Sequence, residues 1–387
     1  MGRRALPLLG LGFVFYIANL ASLSFAKEAD AQNSEAVFTR LLQVILNRQP
    51  SSDSGEPQVG TQCQASLWSS GLYNLSRNGI ERSFQVYVPS SYDSSIPSPL
   101  IVAFHGWGGN ENEFLKNQTV KTELDARGYI LVAPVGLGSE EMGRHYSSWS
   151  FSGSTSGLDG DGVNVEVSGD SEAICDDART PDYTYGSCAG VAENGCSWTQ
   201  CSDNDVNFAV ALADKTQENL CIDSTRIFAV GGSNGGMFIW DLGWNQASSD
   251  TFRAIAPILG LPHRGYLSAP INPEGMPVLL ITGTSDRTVP PGEWDDSSYT
   301  TTSDGDVYYY TGASAITEIW AEAMGCDTST SATPIDVGLT NIDCRGWDYC
   351  SGNNRWPPVM DCRAEMGHTY GLSWSWPLIL DFFDQYR

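Results

Sequence analysis

One serine in this chain is set among glycines, in Gly231-Gly232-Ser233-Asn234-Gly235-Gly236. The run Arg226-Ile-Phe-Ala-Val230 before it reads as a buried strand, and a helical pattern opens at about Asn234. A strand that turns into a helix this sharply needs small residues around the apex. It then holds the serine hydroxyl above the helix N-terminus, the arrangement of a nucleophile elbow. A glycine-rich turn that cradles phosphate is the alternative. No lysine completes a P-loop here, and GxGxxG spacing is absent.

An elbow serine is inert without a base, and the base needs an acid to orient it. In chain order these follow the serine as Asp or Glu, then His. The sequence has 4 His, and only His263 and His368 lie beyond Ser233. His263, in Leu261-Pro-His-Arg-Gly265, has no strand-end acid between it and the serine and reads as structural. His368, in Glu365-Met-Gly-His-Thr-Tyr370, precedes the last helical pattern and is the expected base. Asp286 follows the apolar run Val278 to Ile281 through Thr282-Gly-Thr-Ser285 and is the expected acid, with Asp295, Asp296 and Asp361 as competitors.

Attack on a carbonyl creates an oxyanion that needs donors, and losing one donor typically costs ~10²–10³ in rate. His105-Gly106-Trp107-Gly108-Gly109 follows the apolar run Leu100 to Phe104, so its amides can meet that of Asn234. Trp107 N–H is the expected second donor and Gly106 N–H its alternative. His105 and His145 then read as loop residues. Trp107, Trp149 and Tyr370 are the aromatic cleft candidates because they neighbour these motifs.

Positioning such residues requires alternating strands and helices. Phe84 to Val88 alternates like a half-buried strand, whereas Leu100 to Phe104, Ile130 to Ala133, Arg226 to Val230, Ala254 to Ala256 and Val278 to Ile281 are continuously apolar, as in strands covered on both faces. Between them, Ser202 with Asp205 suggests a capping box for a helix to about Leu220. Ile316, Ile319, Trp320 and Ala323 mark a helix ended by Gly325, and Pro377 is expected to open the terminal one. The pattern predicts one α/β domain with a mostly parallel sheet. Two polar stretches, 147 to about 200 and 291 to 312, break the rhythm and read as insertions over the edge that carries binding loops.

The motifs Arg82-Ser-Phe-Gln-Val-Tyr-Val-Pro89, Leu100 to Gly109, Asp205-Val-Asn-Phe208, Cys221 to Gly236, Phe252-Arg-Ala-Ile-Ala-Pro257, Gly283-Thr-Ser-Asp286 with Val289-Pro290, and Gly367-His368 occur in order from about residue 65. Together they resemble the secreted feruloyl esterase and polyhydroxybutyrate depolymerase family of α/β-hydrolases. The resemblance implies a central, mostly parallel sheet with helices on both faces. It also implies Ser233, Asp286 and His368 as nucleophile, acid and base, and cleavage of feruloyl or acetyl esters on cell-wall polysaccharide, or of polyhydroxyalkanoate. The family usually continues its histidine motif with Trp-Pro, where this chain has Thr369-Tyr370-Gly371. The Cys-rich excursion to 201 is also longer than in compact members. No cofactor or metal is implied.

Composition narrows the setting. The 387 residues carry 46 Asp+Glu against 21 Lys+Arg, a formal charge of -25, which disfavours nucleic acid and anionic membranes as partners. Arg3 and Arg4, an apolar run from Ala5 to Leu23 and Ser24-Phe25-Ala26 read as a cleaved secretory signal over 1–26, with an uncleaved anchor as the alternative. Its removal takes the charge to -27. Residues 27–62 hold an amphipathic helix (Val37, Phe38, Leu41, Leu42, Ile45, Leu46) and a polar linker, and 63–387 the catalytic domain. Ten cysteines in an exported chain read as five disulfides, four of the ten falling between 175 and 201. The sequons at Asn74 and Asn117 suit an exported glycoprotein. Asp159, Asp161 and Asn164 form part of a calcium-like loop but lack its downstream Glu, so a solvated turn is the expectation.

Overall fold

The computed structural model describes residues 63, 67–138, 147–152, 179, 204–264, 266, 276–296, 299–303, 305–347, 350 and 354–386. The expected signal, the N-terminal helix and linker, His145, the Asp159–Asn164 turn and most of the Cys-rich insertion lie outside these residues.

Continuous apolar runs become the centre of a sheet because a strand covered on both faces buries every side chain, so a polar one there needs a partner. Strands β3 (Ser98–Phe104), β4 (Ile130–Pro134), β6 (Ala254–Ile258), β7 (Val278–Gly283) and β12 (Val359–Ala364) are buried along their whole length, as is the second half of β5 (Ile222–Gly232). With β1 (Gly71–Arg77), β2 (Ile80–Tyr87), β10 (Thr333–Ile335) and β11 (Ile342–Gly346) they form a ten-stranded sheet, ordered β1-β2-β4-β3-β5-β6-β7-β12-β11-β10. The six central strands run parallel, and the two at each edge pair antiparallel. A separate hairpin, β8 (Tyr299–Thr301) with β9 (Tyr309–Thr311), occupies the second polar stretch.

Helices cover both faces. Leu100, Val102 and Phe104 of β3 pack toward α2 (Asp205–Asn219), α3 (Asn234–Trp244) and α5 (Ala313–Ala323), while Ile101 and Ala103 pack toward α1 (Gln118–Arg127) and α6 (Leu372–Phe383). A short α4 (Gln246–Ser249) follows α3. This layered sheet, with its second strand antiparallel, is the α/β-hydrolase fold that the motifs imply. Strand β3 has β4 on one side and β5 on the other, so the chain order reverses there, and the loops after β3 and β5 part to leave a crevice at the strand ends.

Two helix starts differ from expectation. Helix α2 is capped by Asn204, whose side chain accepts from Asn207 N, which leaves Asp205 available for a buried partner instead of a capping box. Helix α6 begins at Leu372 after a left-handed Gly371 and takes Pro377 inside it. Burial of Leu372, Trp376 and Leu378 against the sheet outweighs the one backbone bond that proline forfeits.

The three disulfides among the described residues are Cys63–Cys221, Cys326–Cys350 and Cys344–Cys362, the last joining directly paired residues of β11 and β12. Among the same residues, no helix is long and apolar enough to cross a membrane.

Candidate active site

Ser233 sits at the end of β5 with φ 51° and ψ −120°, a conformation costly for any residue with a Cβ, at ~1–3 kcal/mol. Its neighbours explain the glycines. A Cβ on Gly231 would fall 2.2 Å from the Gly235 carbonyl oxygen, and one on Gly235 would fall 2.3 Å from that of Phe104. The turn is held by Ser233 N–H donating to Ile258 O at 2.8 Å and Met237 N–H donating to Ser233 O at 2.9 Å.

His368 Nε2 lies 3.1 Å from Ser233 Oγ, and His368 Nδ1 lies 2.8 Å from Asp286 Oδ2. Asp286 is buried, and its other oxygen accepts from the amides of Thr288 (2.8 Å) and Val289 (3.0 Å). That carboxylate is therefore anchored through Oδ1, with Oδ2 left to receive the Nδ1 proton and leave Nε2 facing the serine. The competing acids are engaged elsewhere. Asp361 is buried on β12 against Arg363 at 2.7 Å, and Asp295 pairs with Arg345 at 3.3 Å; Asp296 is exposed. His263 is buried among Phe151, Tyr308 and Tyr310 and takes no place beside the serine.

Gly106 N–H donates to Glu113 Oε2 at 3.1 Å, so it is committed to a carboxylate. Asn234 is fully buried at the start of α3, where the positive helix end adds to its amide.

His105 is fixed as a loop-shaping residue by two bonds. Its Nδ1 lies 2.6 Å from Gly106 O, and its Nε2 accepts from Gly136 N–H at 2.9 Å, which requires the neutral ring with its proton on Nδ1. Burial, reinforced by the Arg82 charge, pushes its pKa down to about 4 from 6.5. A depressed histidine pKa means that the unfolded chain binds the extra proton between those values. Stability is therefore lost as pH falls from 6.5 to about 4, by roughly 3 kcal/mol from this residue. Urea unfolding at pH 7, 5.5 and 4 should show the native protein losing more stability than His105→Gln by that amount; parallel slopes would exclude this titration.

A cleft of about 790 Å³ opens over Ser233 and His368, with Trp107, Glu113, Tyr308 and Tyr370 among its walls. Tyr370, an expected cleft residue, lies there, its hydroxyl hydrogen-bonded to Glu113 and its ring against Gly232. The hairpin stretch 302–310 supplies Thr302, Asp306 and Tyr308. Of the three expected cleft aromatics, Trp107 and Tyr370 line the cleft, whereas Trp149 is fully buried. It stacks on Phe238, meets Phe104 edge-on, and donates its indole N–H to His105 O at 2.9 Å. Sequence adjacency to a polar loop misplaced it, because an aromatic ring gains more from the apolar core than from a wet cleft.

Residues that the motifs did not single out for the site are Glu113, Arg82 and Asp241. A signal for two of them was present. Arg82 shares the inward phase of β2 with Phe84 and Val86, and Asp241 interrupts the apolar run Met237 to Leu242. A charge in an apolar phase demands a buried partner. Glu113, in a loop, carries no such mark.

No protein-family model matches this chain, and neither does any curated protein. Solved structures similar in fold include an acetyl xylan esterase from Aspergillus awamori, at 16% identity over 81% of this chain and 99% of that one, TM-score 0.46. A thermostable esterase is similar at 15% identity over 57% of this chain, TM-score 0.35, and this chain spans only 48% of its length. Esterase 2 of Thermogutta terrifontis, phosphorylated by paraoxon, is similar at 15% identity over 58% of this chain and 74% of that one, TM-score 0.34.

Proposed function

We propose that the protein is a secreted serine carboxylic-ester hydrolase that works through an acyl-enzyme. The observation that carries the reading is the hydrogen-bonded row Ser233–His368–Asp286, placed on a strained elbow at the mouth of an open cleft. In this reading His368 Nε2 takes the Ser233 proton as Oγ bonds to the carbonyl carbon. The amides of Trp107 and Asn234 receive the oxyanion. The tetrahedral intermediate collapses, and the departing alkoxide takes the proton from His368. Water then repeats the sequence: it yields its proton to His368, attacks the acyl carbon, and releases the acid as Ser233 regains its hydrogen.

Feruloyl or acetyl esters on a neutral polysaccharide are the proposed substrates. The cleft is far larger than an acetyl group needs, and the half-buried Trp107 on its wall offers a ring on which an aromatic acyl group or a sugar can lie. Export is supported by the N-terminal apolar run and by the paired cysteines.

A fluorophosphonate probe should label the folded protein and not Ser233→Ala. Equal labelling of both, or none of either, would favour a binding protein that retains an enzyme fold. Methyl ferulate, acetylated xylan and polyhydroxybutyrate film then rank the substrates; turnover of the film alone would replace the polysaccharide reading with a polyester one.

A further inference from the structure

The segment 147–152 runs buried beside the site as a strap and bonds to both of the turns that face the nucleophile. On one side Gly108 N–H donates to Ser147 O (2.8 Å), Ser147 Oγ to Gly109 O (2.6 Å) and the Trp149 indole to His105 O (2.9 Å). On the other, the Asn234 carboxamide pairs with the Trp149 main chain. Its Oδ1 accepts from Trp149 N–H at 2.7 Å and its Nδ2 donates to Trp149 O at 3.0 Å. Two buried carboxylates hold the strap in turn. Asp205 accepts from Ser150 N–H (2.7 Å) and its hydroxyl (2.8 Å), and Asp241 accepts from Ser152 N–H (2.8 Å). The strap also packs so closely on Gly136 that a Cβ there would lie 2.5 Å from Ser148 O.

Asn234 thus has two separate jobs available to one residue. Its backbone amide is the donor next to the nucleophile, and its fully buried side chain is clamped at both polar atoms. A peptide plane whose own side chain is fixed at two points cannot rock without breaking a buried hydrogen bond. We propose that the Asn234 carboxamide, paired with the main chain of Trp149, is a positioning residue that holds the oxyanion hole in register. The strap is then the part that ties the two sides of that hole together. This inference rests on the ester-hydrolase reading above and adds to it a reason for asparagine at this place.

The test compares an oxoester with its thionoester, in which sulfur replaces the carbonyl oxygen and accepts hydrogen bonds poorly. A hole held in register favours the oxoester, so the ratio of the two kcat values reports hole geometry and is insensitive to general loss of folded protein. Asn234→Ala should lower kcat on the oxoester by roughly 10–100-fold, less than outright loss of a donor, with KM changed little and the oxo-to-thiono ratio reduced about tenfold. A reduced kcat with an unchanged ratio would overturn the proposal, as would wild-type kinetics.

Asn234→Asp gives a second test that survives poor folding of the alanine variant. Ionised, its second oxygen faces Trp149 O; protonated, it restores the donor. Its kcat relative to wild type at the same pH should rise as pH falls from about 8 to about 5. A flat ratio would count against the clamp. Failure of the wild-type protein to turn over any ester would instead overturn the underlying reading.

Discussion

Ser233→Ala and His368→Ala should each lower kcat by roughly 10⁴–10⁶, and the double variant should be hardly slower than either. The reason is geometric. In the proposed mechanism Ser233 Oγ is a poor nucleophile until His368 Nε2, 3.1 Å away, takes its proton, and the imidazole has nothing to activate once the hydroxyl is gone. Removing one partner therefore removes the function of both. Asp286→Asn tests the third member separately. An amide can present its own N–H to Nδ1, which favours the tautomer with the proton on Nε2 and turns a donor toward the serine, for a loss of about 10⁴. The measurement is steady-state kcat on one soluble ester for the three single variants and the double. Additive losses in the double variant would show that serine and histidine do not act as a unit. A mild His368→Ala beside a severe His263→Ala would contradict the geometry altogether, since His263 is buried among aromatic rings.

Arg82→Leu should destabilise the fold by about 3–5 kcal/mol without touching the nucleophile. Arg82 and Asp205 meet at 2.6 Å with both side chains almost wholly out of solvent, and the guanidinium lies 3.7 Å over the Phe208 ring. Deleting the cation leaves the buried Asp205 carboxylate without its counter-charge; among the described residues the Ser150 amide and hydroxyl still donate to it. Deleting Asp205 leaves the arginine in the same difficulty. The pair does not earn its place by net stability, since two well-packed apolar residues could do as well. It makes the double variant Arg82→Leu with Asp205→Ala cost less than the sum of the singles, because neither orphan charge remains. Chemical denaturation of the four proteins reads this directly, and additive losses would show that the two residues act independently. A sharper consequence concerns catalysis. Asp205 anchors Ser150, one residue from Trp149, so the Asp205 variants should lose activity as well as stability.

The elbow, the order serine–acid–base and the alternation that builds the sheet are all local or ordinal properties, and they were legible from residue types. Ser233 could be found because a strand, a glycine-lined turn and a helix follow one another within about twenty residues. His368 could be chosen because only two histidines come after the serine. The edge strands β1, β10 and β11 were not legible, since they are half-exposed and polar, and neither was the buried β12, whose run is broken by Asp361 and Arg363; pairing supplies what their composition does not.

What only the tertiary structure decided is how residues far apart in the chain share their polar atoms. Gly106 and Trp107 are neighbours with identical backbone donors; the approach of Glu113 commits the first of them. Trp149 looks like a cleft residue by position, yet its partners Phe104, His105, Asn234 and Phe238 come from strands and helices that no local pattern brings to it. Asp205 reads as the capping-box partner of Ser202 until Arg82, 123 residues earlier, is seen to meet it. Local sequence sets which backbone shapes a segment can adopt. Which buried donor meets which acceptor is set by the packing of the whole sheet, where every polar atom withdrawn from water must find a partner wherever the fold has put one.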